Sequence, residues 1–320
     1  MVGYEGGRIL VTGALGQIGT DLVQSLRDIY GSENVIASDI REKQGHPCIE
    51  NGPYTNLDVL DKDRIFKLIV EKEIKIIYHL AAILSAKGEE NPDLCELINV
   101  EGTRNILEAA REFDLRIFAP SSIAVFGPDA PKNAPQITPL NPTTKYGMTK
   151  VDCEILGMIY FEKYGVDIRG IRYPGLISWK SPVSGGTTDY AVDIFHAALS
   201  EESRYDCFLD AQTRLPMMYM DDAIRATISL MDEPIDSLSS SRCGYNISGV
   251  SFTPEELVFE INKKLPNFVC RYKPDIRQNY ADSWPDSIDD QISRNDWNWQ
   301  SRFDLELSLI HISEPTRPLY

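Results

Sequence analysis

RILVTGALGQIG, residues 8–19, is a β-branched apolar run that ends in glycines at 13, 16 and 19. Arg8–Thr12 reads as a strand buried on both faces, and residues 20–30 carry the 3.6-residue apolar spacing of an amphipathic helix. NVIAS, residues 34–38, is a second strand, so residues 8–38 form one βαβ unit. Working outward, the spacing predicts a helix over 61–72, a strand over 75–80 (KIIYHL), a helix over 99–113, a strand over 116–119, a helix over Lys145–Tyr164 and a strand over 167–173. Strands that are apolar throughout and alternate with helices build a sheet covered on both sides, which sets the class as α/β with a doubly wound parallel sheet. Past Tyr173 the texture loosens: SPVSGGTT at 181–188, a serine run at 237–241 and the helix-start signal TPEE at 253–256. The expected division is a dinucleotide-binding domain over 1–173 and a smaller lobe over 174–306, mainly substrate-binding, that returns a few elements to the sheet.

The glycine loop has a chemical reading. A backbone that must turn tightly, approach a pyrophosphate and aim helix N–H groups at it leaves no room for side chains, so Gly13, Gly16 and Gly19, with Gln17 and Ile18 opening the helix, are candidate cofactor residues. Asp39 lies 20 residues beyond Gly19, at the end of the second strand. A carboxylate there accepts hydrogen bonds from the adenosine ribose hydroxyls and repels a 2′-phosphate, which favours NAD over NADP; Arg41, two residues on, pulls the other way.

Composition excludes other classes. With 42% hydrophobic and 25% charged residues the chain is neither disordered nor fibrous. Its 48 acidic against 32 basic residues give a net charge of −16, the wrong sign for neutralising nucleic-acid phosphates, and point to a small-molecule substrate. Six scattered cysteines without a C-x-x-C pair, beside four histidines, indicate neither a zinc site nor a disulfide framework, so no metal is expected and the thiols are read as reduced and structural. No apolar run approaches the roughly 18 residues of a membrane span, and residues 1–7 are too short and polar for a signal peptide. The expected compartment is the cytoplasm, or the mitochondrial matrix if a presequence was removed.

Tyr146 and Lys150 form Y-x-x-x-K within a predicted helix, which puts both side chains on one face a turn apart. A free phenol ionises near pH 10, so one used as a base near neutrality needs a neighbouring cation. Ser121-Ser122 follows a predicted strand, at the sheet end where open α/β folds bind ligands, and Ser122 is placed to orient a substrate hydroxyl toward Tyr146. His79, inside an apolar strand, reads as an interior histidine. Arg172 either carries charge toward the site or braces the sheet.

These residues together resemble the extended short-chain dehydrogenase/reductase superfamily, whose fold is the Rossmann fold. The marks are Gly13-x-x-Gly16-x-x-Gly19, Asp58-Val59, His79-Leu80-Ala81-Ala82, Asn99, Ser122, Tyr146-x-x-x-Lys150 and Tyr173-Pro174-Gly175. The resemblance implies that Asp58 and Val59 lie near the adenine, that Leu80, Ala81 and Ala82 line the cofactor, that Asn99 supports the site, and that Tyr146 and Lys150 also hold the nicotinamide ribose. Ile40, Arg41, Pro174 and Leu176 complete the cofactor set. A narrower resemblance, to the short-chain L-threonine 3-dehydrogenases, rests on AILS at 82–85, GGTTDY at 185–190, TRLPMMY at 213–219, YNIS at 245–248, SFTPEE at 251–256 and SWP at 283–285. It implies NAD-dependent oxidation of L-threonine, with Ser85, Ser122, Tyr146, Thr187 and Trp284 around the amino acid. Backbone N–H groups and hydroxyls of the turn 185–188 are expected to take its carboxylate, and a homodimer to form through the helices at 99–113 and 145–164.

Two other readings use the same scaffold: a nucleotide-sugar epimerase or dehydratase, and a noncatalytic NAD-binding protein. Basic residues are sparse between 173 and 219, against the first, and both Tyr146 and Lys150 are present, against the second. Residues 307–317, LSLIHISEPTR, match the translation of a sequencing adapter, so 307–320 is expected to be a non-native tail.

Overall fold

The computed structural model describes residues 7–178 and 185–305. Residues 181–184 of the expected loop and the expected tail at 307–320 lie outside the described residues.

The opening run forms strand β1 (Arg8–Thr12), and helix α1 (Gln17–Tyr30) begins inside the glycine loop, three residues before the apolar spacing suggested. Then follow β2 (Val35–Asp39), β3 (Tyr54–Asn56), α2 (Lys62–Lys72), β4 (Ile74–His79), α3 (Gly102–Phe113), β5 (Arg116–Phe118), α4 (Lys145–Tyr164) and β6 (Asp167–Arg169). The six strands form one parallel sheet in the order β3-β2-β1-β4-β5-β6. This is the Rossmann order, in which the chain reverses direction across the sheet between β1 and β4 and leaves a crevice at the strands' carboxyl ends. One face buries Leu22, Val23 and Leu26 of α1 with Ala223, Ala226 and Leu230; the other buries Ile65, Ile69, Ile106, Leu107, Leu156 and Tyr160 from α2, α3 and α4. Both faces are therefore apolar, as the unbroken strand sequences require.

The expected strand at 167–173 is a correction: it is two strands in two sheets. After β6 the Gly170 N–H donates to Arg242 O at 2.6 Å and its carbonyl accepts from Tyr245 N–H at 2.9 Å. The chain then enters β7 (Ile171–Tyr173), which pairs with Ser121–Ser122 and Tyr245–Asn246. Both halves are buried, so hydropathy shows no seam. The expected helix at 99–113 likewise opens with a π-helical turn, Leu97–Glu101, before α3.

The TPEE signal is a capping box: Thr253 Oγ1 accepts from Glu256 N–H at 3.2 Å, and Glu256 Oε2 accepts from Thr253 N–H at 3.0 Å, ahead of a helix at Pro254–Lys264. That helix packs through Leu257 into a core with Tyr190, Phe195, Leu215, Met217, Phe252 and Trp284, which is continuous with Val125, Phe126 and Tyr146. Among the described residues no helix is long and apolar enough to cross a membrane.

Candidate functional site

At the carboxyl ends of β1, β2, β4 and β5 lies a cavity of about 460 Å³. Every sequence-predicted site residue except Asn99 lines it. Gly13, Gly16, Gln17, Ile18 and Gly19 form one wall, Asp39, Ile40 and Arg41 another, and Asp58, Val59, Leu80, Ala81 and Ala82 a third. Ser122, Tyr146, Lys150, Pro174 and Leu176 follow, with Ser85, Thr187 and Trp284 in the same enclosure.

The glycine loop is shaped by close approach. Gly13 sits at φ 66°, and a Cβ on it would lie 2.7 Å from Ala81 N; one on Gly19 would lie 2.5 Å from Gly13 O. Larger residues would push the β1–α1 and β4 segments apart and fill the cradle in front of the helix N-terminus, so the loop fits a dinucleotide phosphate. Asp39 accepts from Leu15 N–H at 3.1 Å and from Arg41 Nε at 2.9 Å and Nη2 at 3.1 Å. Burial pushes this carboxyl up, but the Arg41 hydrogen bonds and charge outweigh it and hold it below the usual carboxylate range. The Arg41 charge is thus already met by Asp39, which removes the sequence-based doubt: the wall presents a compensated carboxylate rather than a free cation for a 2′-phosphate.

On α4, Thr144 caps the helix by accepting from Gly147 N–H at 3.1 Å, and this fixes the turn bearing Tyr146 and Lys150. The Lys150 ammonium donates to Pro120 O at 2.9 Å and stands 5.7 Å from the centre of the Tyr146 ring. Ser122 Oγ accepts from Ala124 N–H at 3.2 Å, which leaves its own proton to donate.

Asn99 stands behind the wall. Its amide brackets the Ile83 backbone, accepting from the N–H at 2.8 Å and donating to the carbonyl at 3.1 Å, and donates to Thr149 Oγ1 at 3.0 Å. It thereby ties the segment leading to Ser85 onto α4. His79 is buried and shares a 2.9 Å hydrogen bond with Thr12 Oγ1; burial, then the Lys150 charge, lowers its pKa to about 3. Arg172 is a brace: it donates to Glu154 at 2.9 and 2.7 Å and to Gln136 O and Asn246 Oδ1 at 3.2 Å.

The turn 185–188 departs from expectation. The N–H groups of Gly185 and Gly186 are taken by Asp189 Oδ2, at 2.8 and 2.7 Å, so they are not open donors for a substrate carboxylate. Asp189 itself lines the cavity, as does Lys87. Neither was singled out in the sequence; an aspartate three residues after a glycine pair, at a helix start, was the available signal.

A match to the NAD dependent epimerase/dehydratase family spans residues 9–247. An uncharacterized epimerase/dehydratase of Staphylococcus aureus is 49% identical over 300 residues, 93% of each chain. Among solved structures, a monomeric L-threonine 3-dehydrogenase from a metagenome database (apo form) is similar at TM-score 0.91 and 51% identity, covering 96% of this chain and 98% of that one. A GalE-like L-threonine dehydrogenase from Cupriavidus necator (holo form) is similar at TM-score 0.92 and 46% identity, covering 97% and 100%. With its Rossmann sheet, glycine cradle and Asp39 on the cavity wall at the end of β2, the chain belongs to the NAD dependent epimerase/dehydratase family.

Proposed function

We propose that the chain oxidises the β-hydroxyl of L-threonine to the ketone of 2-amino-3-oxobutyrate with NAD, as a step of threonine breakdown. The observation that carries this reading is the single cavity in which Tyr146, Lys150 and Ser122 share walls with the glycine cradle and with a short polar end made by Ser85, Thr187 and Trp284. The similarity to L-threonine dehydrogenases supports the substrate. In this reading Gly13–Gly19, Asp39 to Arg41, Asp58, Val59 and Leu80 to Ala82 hold the cofactor, with Pro174 and Leu176 on its far side and Tyr146 and Lys150 at the nicotinamide ribose. Asn99 serves that set from behind, through Ile83.

NAD, when bound, supplies the carbon that accepts hydride. The Ser122 proton is donated to the substrate hydroxyl and turns it toward Tyr146. Tyr146 Oη, as its anion, takes the hydroxyl proton; the C–H bond on the same carbon breaks with its electron pair leaving as hydride, and the former O–H pair becomes the second C–O bond. The Lys150 ammonium, anchored on Pro120, offers its charge to the tyrosine oxygen while it is negative. Trp284 closes the small end against water. In this reading residues 1–173 supply most of the cofactor contacts together with Ser85, Ser122 and Tyr146 at the substrate, and residues 174–306 add Thr187 and Trp284 to the substrate side.

We also propose self-association through the outer face of α4. Met148, Ile155 and Ile159 are exposed at helical spacing beside exposed Leu94 and Leu97.

The test of the activity is absorbance at the NADH band on mixing protein, NAD and L-threonine, with NADP, L-serine and a UDP-sugar panel in parallel. NADH should form with threonine and NAD. Turnover of a UDP-sugar with none of threonine would replace this reading by that of an epimerase or dehydratase.

A further inference from the structure

The turn that brings Thr187 to the cavity is held from inside by a carboxylate. Asp189 caps helix α5 (Tyr190–Leu199), yet its side chain caps no N–H of that helix, as such residues commonly do. It folds backward, and Oδ2 accepts from Gly185 N–H at 2.8 Å and Gly186 N–H at 2.7 Å. The glycine pair is cut to this shape. Gly185 lies at φ 96°, and a Cβ on Gly186 would come within 2.8 Å of Asp189 Oδ1. The Gly185 carbonyl in turn accepts from Ala86 N–H at 3.4 Å, which stitches the same turn to the segment carrying Ser85.

The turn also sets Thr187 in the cavity wall. Thr187 is 2% exposed, lines the cavity, and its Oγ1 has no hydrogen-bond partner among the described residues. A buried hydroxyl without a partner costs about 1–3 kcal/mol, so something must keep it there until a ligand atom meets it. The Asp189 clamp does so. It also removes the two glycine N–H groups from the donors available to an anion and leaves the Thr187 hydroxyl to that role.

We propose that Asp189 is a positioning residue: its carboxylate fixes the Gly185–Gly186 turn and the segment of Ser85, and through them aims Thr187 Oγ1 at a polar group of the substrate. This rests on the reading of the cavity as the site of a small amino acid.

The experiment compares Asp189→Ala, Asp189→Asn, Thr187→Val and the double variant Asp189→Ala/Thr187→Val. Readouts are KM and kcat for L-threonine, NAD affinity by fluorescence titration, and hydrogen exchange of a peptide covering 185–190. Asp189→Ala should raise KM about tenfold or more, with kcat within about threefold and NAD affinity unchanged, the loss expected when one aimed hydrogen bond is released. Asp189→Asn keeps an acceptor oxygen and should restore KM and slow exchange. The double variant should be no worse than Asp189→Ala, because a residue that acts through Thr187 has nothing left to position.

Should Asp189→Ala fail to fold, Asp189→Ser, too short to reach both N–H groups, carries the same readouts. An unchanged or lowered KM, exchange no faster than wild type, or additive effects in the double variant would overturn the proposal. If the wild type does not oxidise threonine, the substrate reading fails by itself. Exchange at 185–190 then decides alone whether Asp189 holds the turn.

Discussion

Two single residues show what a pattern hides. Asp39 was legible as a candidate cofactor residue from its distance to Gly19, but the pairing of Arg41 back onto it was not, since a sequence gives no side-chain direction. His79 read correctly as interior, and its surroundings have a measurable consequence. Its ordinary pKa of 6.5 falls to about 3 in the folded chain, through burial first and the Lys150 charge second. Below pH 6.5 the unfolded chain therefore binds a proton that the folded chain refuses, and stability is lost as the pH falls toward 3, with a limiting slope of about 1.4 kcal/mol per pH unit. Urea midpoints at pH 7, 6 and 5 should decline more steeply for the wild type than for His79→Gln. Equal slopes would show that His79 does not carry the effect.

At the scale of elements, strands and helices of the sheet were readable because burial on both faces leaves continuous apolar runs. The break at Gly170 and the π-helical turn at Leu97–Glu101 were not, because each depends on partners distant in sequence: Arg242 and Tyr245 for the first, and for the second the packing that brings Asn99 to Ile83 and Thr149. Arg172 belongs here too. It joins α4 to β7 and the returning strand through Glu154 and Asn246, with Ser121 donating to Glu154 Oε1 at 2.5 Å. Removing one member of a buried pair strands the other charge, so Glu154→Ala should lower unfolding free energy by about 3–5 kcal/mol. The double replacement Glu154→Leu/Arg172→Met should lose clearly less in the same urea titration. A double variant as unstable as the single would mean that packing, and not the stranded charge, sets the loss.

On the scale of the whole molecule, the sheet order gathers the glycine loop after β1, Leu80–Ala82 after β4 and Ser122 after β5 at the carboxyl ends of the strands, and α4 delivers Tyr146 and Lys150 to them. The candidate cofactor side of this cavity was readable because short motifs follow strands. The candidate substrate side was carried by resemblance, and its clamp escaped because a hydrogen bond from Gly185 N–H forward to Asp189 Oδ2 has no spacing signature. The same helix α4 exposes Met148, Ile155 and Ile159 on its outer face. Light scattering should give the mass of two chains for the wild type and of one for Ile155→Arg. A wild type of single-chain mass, like the similar metagenomic enzyme described as monomeric, would contradict self-association. The central claim concerns the phenol at the cavity's heart and is tested by Tyr146→Phe, assayed for NADH formation with L-threonine and for NAD binding. Turnover should fall by about 10³-fold, the range of a lost general base, while NAD affinity stays within about twofold. Turnover close to that of the wild type would contradict the assignment of Tyr146 as the base.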